Sequence, residues 1–262
     1  MLQVARLAPT LLQGAGELAA GFLRQQINPD GGARDKSGKS DLYYTVFALE
    51  GLIALREDPP FDLVGPYLER FGDGDGLDFV HLTCLARCWA AFGRDALDRD
   101  RARRLGARIA EGGNGSVYHR FLKVGALEDL GEQPAAGDPI VPSEDGSFGG
   151  TTPTTAGAVT LLQHLGAEVP PAAVEWLLAR AKPEGGFLAA PDAPIPDLLS
   201  TATALHALTA AKASIGALRD PMLNFIDTLW TGRGFCGNWT EEAPDCEYTY
   251  YGLLSLGHLS LT

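Results

Sequence analysis

Three aspartates stand four residues ahead of a threonine, each where a polar loop meets an apolar run. The pairs are Asp41 with Thr45, Asp197 with Thr201, and Asp245 with Thr249. A carboxylate at such a boundary could bind a metal or act as a general acid. It is equally suited to cap a helix, since its oxygens accept bonds from free backbone N–H groups and complement the helix dipole. Because a catalytic group need occur only once, the repetition favours the capping role.

A second group of residues has the ligand types that zinc prefers: Asp78, His81, Cys84 and Cys88. Positions 81, 84 and 88 lie on one face of a predicted helix, and imidazole and thiolate groups bind zinc well. Buried free cysteine is also a common small apolar filler. Cys84 and Cys88 lie well beyond the N-terminal end of the predicted helix, where the metal site would be. The sequence therefore allows either core packing or a metal site for these residues.

The design of a glycine-containing turn, a polar loop and an apolar helix recurs six times. Predicted helix starts at 41, 78, 116, 151, 197 and 245 are 35 to 48 residues apart, the range expected for a repeated helical hairpin. The first helices of the units are amphipathic: Pro66–Phe71, Arg101–Ala110, Ala172–Ala181 and Pro221–Trp230. The second helices are almost uncharged: Val46–Leu55, Thr201–Ala211 and Tyr250–Leu259. Because a helix that is apolar all round must be buried all round, we expect an inner ring inside an outer one, forming a single domain over 1–262.

Composition narrows the functional classes. A net charge of −12 argues against nucleic acid as a partner, because phosphates require clustered cations. No run approaches the ~18 apolar residues of a transmembrane segment. Met1–Arg24 is predicted to be a first helix and not a signal peptide. Four cysteines are too few for a disulfide framework. Because no signal peptide is predicted either, the expected location is cytoplasmic.

The first unit is close to a known repeat at the level of consecutive residues. Asp35-Lys36-Ser37-Gly38-Lys39-Ser40, followed by Asp41-Leu42-Tyr43-Tyr44-Thr45, resembles the repeat of protein prenyltransferase β subunits. Asp145-Gly146-Ser147-Phe148-Gly149-Gly150 resembles the glycine/aromatic repeat that these subunits share with squalene–hopene cyclases. The resemblance implies an all-α fold, an (α/α)6 toroid of six hairpins. It also implies a central cavity that accepts an isoprenoid, a transferase-like activity and a helical partner subunit.

The same resemblance implies a zinc site that this chain matches incompletely. Protein prenyltransferases hold zinc through an Asp and a Cys two residues apart and a His on a neighbouring helix. Here Asp245 is in register, Glu247 stands at the Cys position, Cys246 lies one place earlier, and Tyr44 stands at the His position. A shift of one residue turns a side chain by about 100° on a helix. Zinc at Asp245, Cys246 and Glu247 is therefore an expectation with an incomplete ligand set.

An isoprenyl diphosphate would need cations, because its leaving group gains negative charge. Two groups precede or open inner helices: Arg34, Lys36 and Lys39, and His119, Arg120 and Lys123. Tyr248 could donate to phosphate oxygens, Tyr43 and Phe47 could hold the apolar chain, and Asp245, Asp41 and Tyr44 are the catalytic candidates. The same cationic residues would also be expected if these helix starts were only solvated or ion-paired and bound no phosphate.

Of four alternative functions, two lack their defining residues and two stay open. No D-x-D-D segment of the terpene cyclase type occurs, and Leu130-Gly131-Glu132-Gln133 lacks the cysteine of a thioester. A non-catalytic toroid serving as a binding or scaffolding module stays open, because fold does not fix function. A glycosidase would need two carboxylates across a groove, for which Asp78, Asp197 and Asp245 are available.

Overall fold

The computed structural model describes residues 1–93, 97–113, 115–135 and 138–261. Its helices in chain order are α1 (Leu2–Ala5), α2 (Pro9–Leu12), α3 (Ala15–Gln26), α4 (Leu42–Ala54), α5 (Phe61–Glu69), α6 (Phe79–Ala91), α7 (Arg99–Glu111), α8 (Val117–Asp129), α9 (Thr152–His164), α10 (Pro171–Leu178), α11 (Leu198–Ala210), α12 (Arg219–Thr228) and α13 (Cys246–Leu259). Two antiparallel ribbons of two-residue strands lie in the turns: β1 (Ala33–Arg34) with β2 (Ser40–Asp41), and β3 (Phe187–Leu188) with β4 (Pro196–Asp197). The predicted all-α architecture is confirmed.

Six helices form a closed inner ring. In order around the ring, α4, α6, α8, α9, α11 and α13 each pack on the next, and α13 packs back on α4. The apolar residues of α4, α11 and α13 are mostly buried, as their near lack of charge requires, whereas α8 carries four charged residues and its Tyr118 is exposed. Outer helix α3 precedes the first inner helix, and α5, α7, α10 and α12 lie on the chain between successive inner helices. The two ribbons lie in the turns without interrupting the ring.

Every inner helix begins after a residue whose side chain caps it. The caps are Asp41, Asp78, Ser116, Thr151, Asp197 and Asp245, and each side chain accepts a bond from a backbone N–H of the first turn. All six predicted starts are therefore helix caps. The helices α4, α11 and α13 begin directly after their aspartates, ahead of the apolar runs at Val46, Thr201 and Tyr250.

The threonine that follows four residues after the cap fixes the preceding turn. In four units, a buried threonine hydroxyl accepts an N–H from that turn: Ala33 to Thr45 at 2.9 Å, Phe148 to Thr155 at 3.0 Å, Phe187 to Thr201 at 2.9 Å and Phe235 to Thr249 at 3.2 Å. The Thr45 and Thr201 hydroxyls also donate to the carbonyl of their capping aspartate. Leu82 and Arg120 stand at the equivalent positions of α6 and α8. This threonine–turn bond, the turn device, therefore links the turn to the inner helix in four units, three of which carry the Asp-x-x-x-Thr pattern.

One glycine of the turn is needed for close approach. Gly185 has φ of +107°, and a Cβ there would lie 2.1 Å from the carbonyl oxygen of Pro221 on α12. Gly31 has the same role at φ of +97°, against Leu63 of α5. No other residue type could bring these turns so close to the next outer helix.

The segment between α8 and α9 departs from the hairpin pattern. Within the described part of residues 130–151 no helix forms, so α9 has no outer helix before it. Gly131 has φ of +79°, and Pro134, Pro139 and Pro142 follow within the segment. Prolines remove backbone donors and block helix continuation. The predicted first helix over Met1–Arg24 is likewise divided, into α1, α2 and the start of α3.

Candidate functional site

A cavity of about 200 Å³ lies at the centre of the ring, near the N-terminal ends of the inner helices. All six inner helices contribute to its wall. The aromatic lining residues are Tyr43, Phe47, Tyr118, Phe121, Tyr250 and Tyr251. Phe47 lies with its ring centre 5.7 Å from that of Tyr250 and 5.4 Å from that of Tyr251, so the aromatic side chains form a continuous wall between α4 and α13.

The floor of this cavity is charged. Arg87 of α6 contacts the cavity, forms an ion pair with Glu50 of α4, and has its Nε 3.8 Å from Oδ2 of Asp129 on α8. Burial raises the pKa of Asp129 to about 6, although Arg87 opposes that shift. Glu50 Oε2 and the Tyr250 hydroxyl are both buried, and the Glu50 carboxylate lies close enough to this hydroxyl to add to the effect of burial in raising the pKa of Tyr250. Among the described residues, the floor therefore brings the Arg87 guanidinium and two acidic groups together, with the amino group of Met1, whose pKa is lowered by burial, beside them.

A second space of about 450 Å³ lies beneath this floor, towards the C-terminal ends of the inner helices. Glu50, Arg87, Glu128, Asp129 and His164 are among its lining residues. His206 also contacts it, with Nδ1 2.9 Å from Nε2 of His258. Burial lowers the pKa of His206 to about 3 and that of His258 to about 4, so this pair is neutral near pH 7.

The rim of the cavity holds acidic groups between α4 and α13. The Tyr43 hydroxyl donates to Glu247 Oε1 at 2.6 Å. Burial raises the pKa of Glu247 to about 7, and the tyrosine bond only partly offsets it. Lys36 Nζ lies 2.7 Å from Glu241 Oε1, 3.7 Å from Asp245 Oδ2, and 5.1 Å from the ring centre of Tyr248. Burial also raises the pKa of Asp245, and Lys36 acts in the opposite direction.

A histidine between two carboxylates joins α4 to α6. His81 Nδ1 lies 2.8 Å from Asp78 Oδ2, and His81 Nε2 lies 3.1 Å from Asp41 Oδ2. Burial alone would lower the pKa of His81, but its bonds to Asp78 and Asp41 outweigh burial and raise it. Asp41 Oδ1 meanwhile accepts the backbone N–H groups of Tyr43 and Tyr44. Both oxygens of Asp41 are thus occupied by the helix start and by His81.

The two predicted metal sets are not brought together as ligand clusters. Among the residues with described positions, no group of three or more His, Cys, Asp or Glu side chains could hold a metal ion. Cys246 is fully buried, while Glu247, one residue later, turns to Tyr43. Cys84 lines the cavity, away from the His81 carboxylate bridge, and burial raises its thiol pKa to about 12. The residues present therefore do not fit the zinc site of the resembling family.

The two predicted cation groups occupy different places. Arg34 donates to the Gln25 carbonyl, and Lys36 pairs with acidic groups at the rim. Arg120 donates to the Asp138 carbonyl and Lys123 to the Ala110 carbonyl, and both line an outer groove together with Pro134, Ala135 and residues 138–141. His119 packs its ring 5.2 Å from that of Phe79. Arg87 is the cationic side chain that lines the ring cavity within the described chain, and none of the predicted cations does so. A diphosphate site at Arg34, Lys36 and Lys39, or at His119, Arg120 and Lys123, stays a prediction.

Sequence reasoning missed Arg87 and Glu50, although a sign of them was present. Glu50 is the one acidic or basic residue of α4, and Arg87 is the one Lys, Arg, Asp or Glu of α6. A single charge inside an otherwise uncharged inner helix must find an opposite charge inside the ring. Reading both helices together would have paired them.

The fold and cavity define a class: an all-α toroid with a pocket at the N-terminal ends of its inner helices. The model of the prenyltransferase alpha-alpha toroid domain matches residues 15–97 and 154–260, and the chain belongs to that family. The sequence has no match among proteins of curated function. In the ranges for which positions are given, no helix has both the length and the apolar character needed to cross a bilayer.

Proposed function

We propose that this protein binds a small isoprenoid-type molecule in the ring cavity and acts on it there. The observation that carries the proposal is the wall of six aromatic residues, supplied by α4, α8 and α13. Aromatic faces bury large apolar area and stabilise positive charge in a bound molecule. A volume of about 200 Å³ suits a short branched chain, being somewhat larger than the ~150 Å³ cavity that holds benzene.

The rim supplies groups able to move protons at the cavity entrance. Glu247 has a pKa of about 7 and bonds the hydroxyl of Tyr43, which itself lines the cavity. A carboxyl with a pKa near the working pH is well suited to general acid or base chemistry. Asp245, Asp41 and Tyr44 lie at the same rim, but the carboxylate oxygens of Asp41 are engaged in capping and in the His81 bridge. Glu247 is therefore the strongest acid–base candidate of this proposal.

The experiment is extraction of bound lipid from purified protein, with identification by mass spectrometry. Gly157 of α9 lines the cavity and has ordinary helical backbone, with Phe121 3.9 Å from an added Cβ. Gly157→Leu should fill the cavity and abolish the isoprenoid signal. Gly21→Leu on outer helix α3, where an added Cβ meets nothing within 4 Å, is the matched control and should retain it. Equal amounts of lipid in both variants would contradict binding in the ring.

A scaffolding role is the second candidate, and the engagement of the predicted cations favours it. Lys36 is paired with Glu241, while Arg34, Arg120 and Lys123 donate to backbone carbonyls. A toroid that binds no ligand would yield no specific lipid and no effect of Gly157→Leu other than on stability. Three further expectations belong to the proposed isoprenoid-binding function. They are a helical partner subunit, a single domain over 1–262 and a cytoplasmic location.

A further inference from the structure

We propose that the ammonium group of Lys36 takes, at the rim of the ring, the place that zinc has in protein prenyltransferases. This inference goes beyond the proposed function, because it concerns the charge at the rim and does not depend on what the cavity binds. It gives the mismatch between the rim and the family's zinc ligands a physical meaning. The cation at the joint between α13 and α4 is a side chain and not a metal ion.

The first argument is the position of Lys36. Its Nζ atom lies 2.7 Å from Glu241 Oε1 and 3.7 Å from Asp245 Oδ2. These carboxylate side chains are only 21% and 11% exposed, and the more exposed ammonium lies against both of them. Carboxylates with so little access to water require a cation beside them. Asp245 is the residue in register with a zinc ligand of the family, and Lys36 supplies its cation.

The second argument is that the oxygens of these two carboxylates are already engaged. Asp245 Oδ1 accepts the backbone N–H of Tyr248 at 2.8 Å, and Oδ2 faces Lys36. Glu241 Oε2 accepts the backbone N–H of Gly237 at 2.8 Å, and Oε1 accepts from Lys36. A zinc ion would have to displace the ammonium, because two cations would repel each other at this short range.

The third argument is that the other positions of the family's ligand set face elsewhere or have the wrong chemistry. Glu247 stands at the cysteine position, and its Oε1 accepts the Tyr43 hydroxyl at 2.6 Å. Cys246 is fully buried in the apolar core, and Tyr44 offers a phenol where the family has an imidazole. Protein zinc sites use three or four ligands drawn from Cys, His, Asp and Glu. The described residues bring no such group of three together.

The fourth argument is that Lys36 spans the same joint as the metal. Lys36 lies in the turn between β1 and β2, ahead of α4, while Glu241 and Asp245 precede or cap α13. The bond from Lys36 to Glu241 therefore joins residues 205 positions apart. An ammonium donates hydrogen bonds but accepts no lone pair as a metal ion does. A rim occupied by Lys36 could not hold a partner's thiol by coordination.

The first experiment measures whether the rim holds zinc. The purified full chain is incubated with excess zinc and desalted, and its bound zinc is measured by elemental mass spectrometry. We expect no stoichiometric zinc that Asp245→Asn removes. Stoichiometric zinc that is lost in Asp245→Asn would overturn the proposal, because a metal would then be the cation of the rim.

The second experiment tests Lys36 itself by thermal unfolding with and without added zinc. Lys36→Met leaves Glu241 and Asp245 without their cation, so it should melt below the unaltered protein, and zinc should raise its melting temperature. Lys36→Arg keeps the charge and should not respond to zinc. Lys182→Met, at an exposed lysine in another turn, is the matched control and should melt as the unaltered protein does.

Two results of this experiment would overturn the proposal. One is that Lys36→Met melts at the same temperature as the unaltered protein. The other is that zinc changes the melting of Lys36→Met no more than that of Lys182→Met. Because the readouts are metal content and melting temperature, neither depends on whether the ring cavity binds an isoprenoid.

Discussion

The ring consists of two unequal arcs. The arc matched by the family model, 15–97 and 154–260, contains five inner helices, four of which carry the threonine bond to the preceding turn. The unmatched arc, 98–153, contains α8, whose sequence includes Arg120, Lys123, Glu128 and Asp129 and which lacks that threonine. Yet α8 packs on α6 and α9 and closes the ring. The comparison teaches that closure depends on side-to-side packing, while the turn device adds local stability only where it occurs.

The largest expected effect tests the link between the arcs. Arg87→Met leaves Glu50 and Asp129 without their cation and should lower the free energy of unfolding by about 3–5 kcal/mol. The double variant Arg87→Met/Glu50→Leu should recover part of this loss, because it removes one of the two orphaned carboxylates. Urea denaturation measures both. Arg108→Met, which breaks an exposed pair with Asp75, is the control and should stay within ~0.5 kcal/mol. A similar loss in the control and in Arg87→Met would show that the arcs are not joined through the floor.

The next effect concerns the joint between α13 and α4, inside the matched arc. The raised pKa of Glu247 means that the folded state holds this proton more tightly than the unfolded state. Its contribution to stability is therefore complete below pH ~4.5 and is lost as pH rises to about 7. Glu247→Gln should remove that loss, so that at pH 8 it is more stable than the unaltered protein by up to about 3 kcal/mol.

The measurement is the free energy of unfolding from pH 4 to pH 8. Glu184→Gln, at an exposed site, should follow the pH profile of the unaltered protein. If Glu247→Gln also follows that profile, the carboxyl at this joint is not held protonated by its surroundings.

A smaller effect should distinguish the turn device from ordinary threonine packing. Thr201→Val keeps the shape of the side chain but leaves the Phe187 N–H buried without its acceptor, which should cost about 1–3 kcal/mol. Thr209→Val loses only a hydroxyl that donates back to the Leu205 carbonyl on the same helix, so its loss should be smaller. Thermal unfolding compares the two. Equal losses would remove the distinction drawn between the arcs.

The smallest effect is the pH dependence of the His81 bridge. Because the folded state raises the pKa of His81, its bonds to Asp78 and Asp41 add stability at low pH. That stability is complete below the ordinary pKa of 6.5 and is lost as pH rises above it. His81→Gln should therefore be less stable than the unaltered protein at pH 6 and nearly equal to it at pH 9. A difference that does not change between these pH values would show that the bridge is held by neutral hydrogen bonds.

The sequence allowed local features to be predicted far better than contacts across the ring. The six caps were predictable because Asp, Ser and Thr bond the backbone within three residues of themselves. The closed ring followed from uncharged helices that had to be buried on every side. By contrast, the pairing of Glu50 with Arg87 joins residues 37 positions apart. The absence of an outer helix from the described part of residues 130–151 accompanies Pro134, Pro139 and Pro142, which sequence analysis did not single out. The turn of Cys246 away from its family register was foreseeable, but its full burial required the positions of neighbouring helices.

The identity of the six caps has a consequence for where charge joins the helix starts. Helices α4, α6, α11 and α13 begin at aspartate, whereas α8 and α9 begin at Ser116 and Thr151. The positive partial charge of the helix start is therefore met by a carboxylate in four helices and by a neutral hydroxyl in these two neighbours. The capping carboxylates consequently lie together on one side of the ring, where Lys36 faces Asp245 and His81 bridges Asp41 and Asp78, so the charge pairs that join neighbouring helix starts are confined to that side.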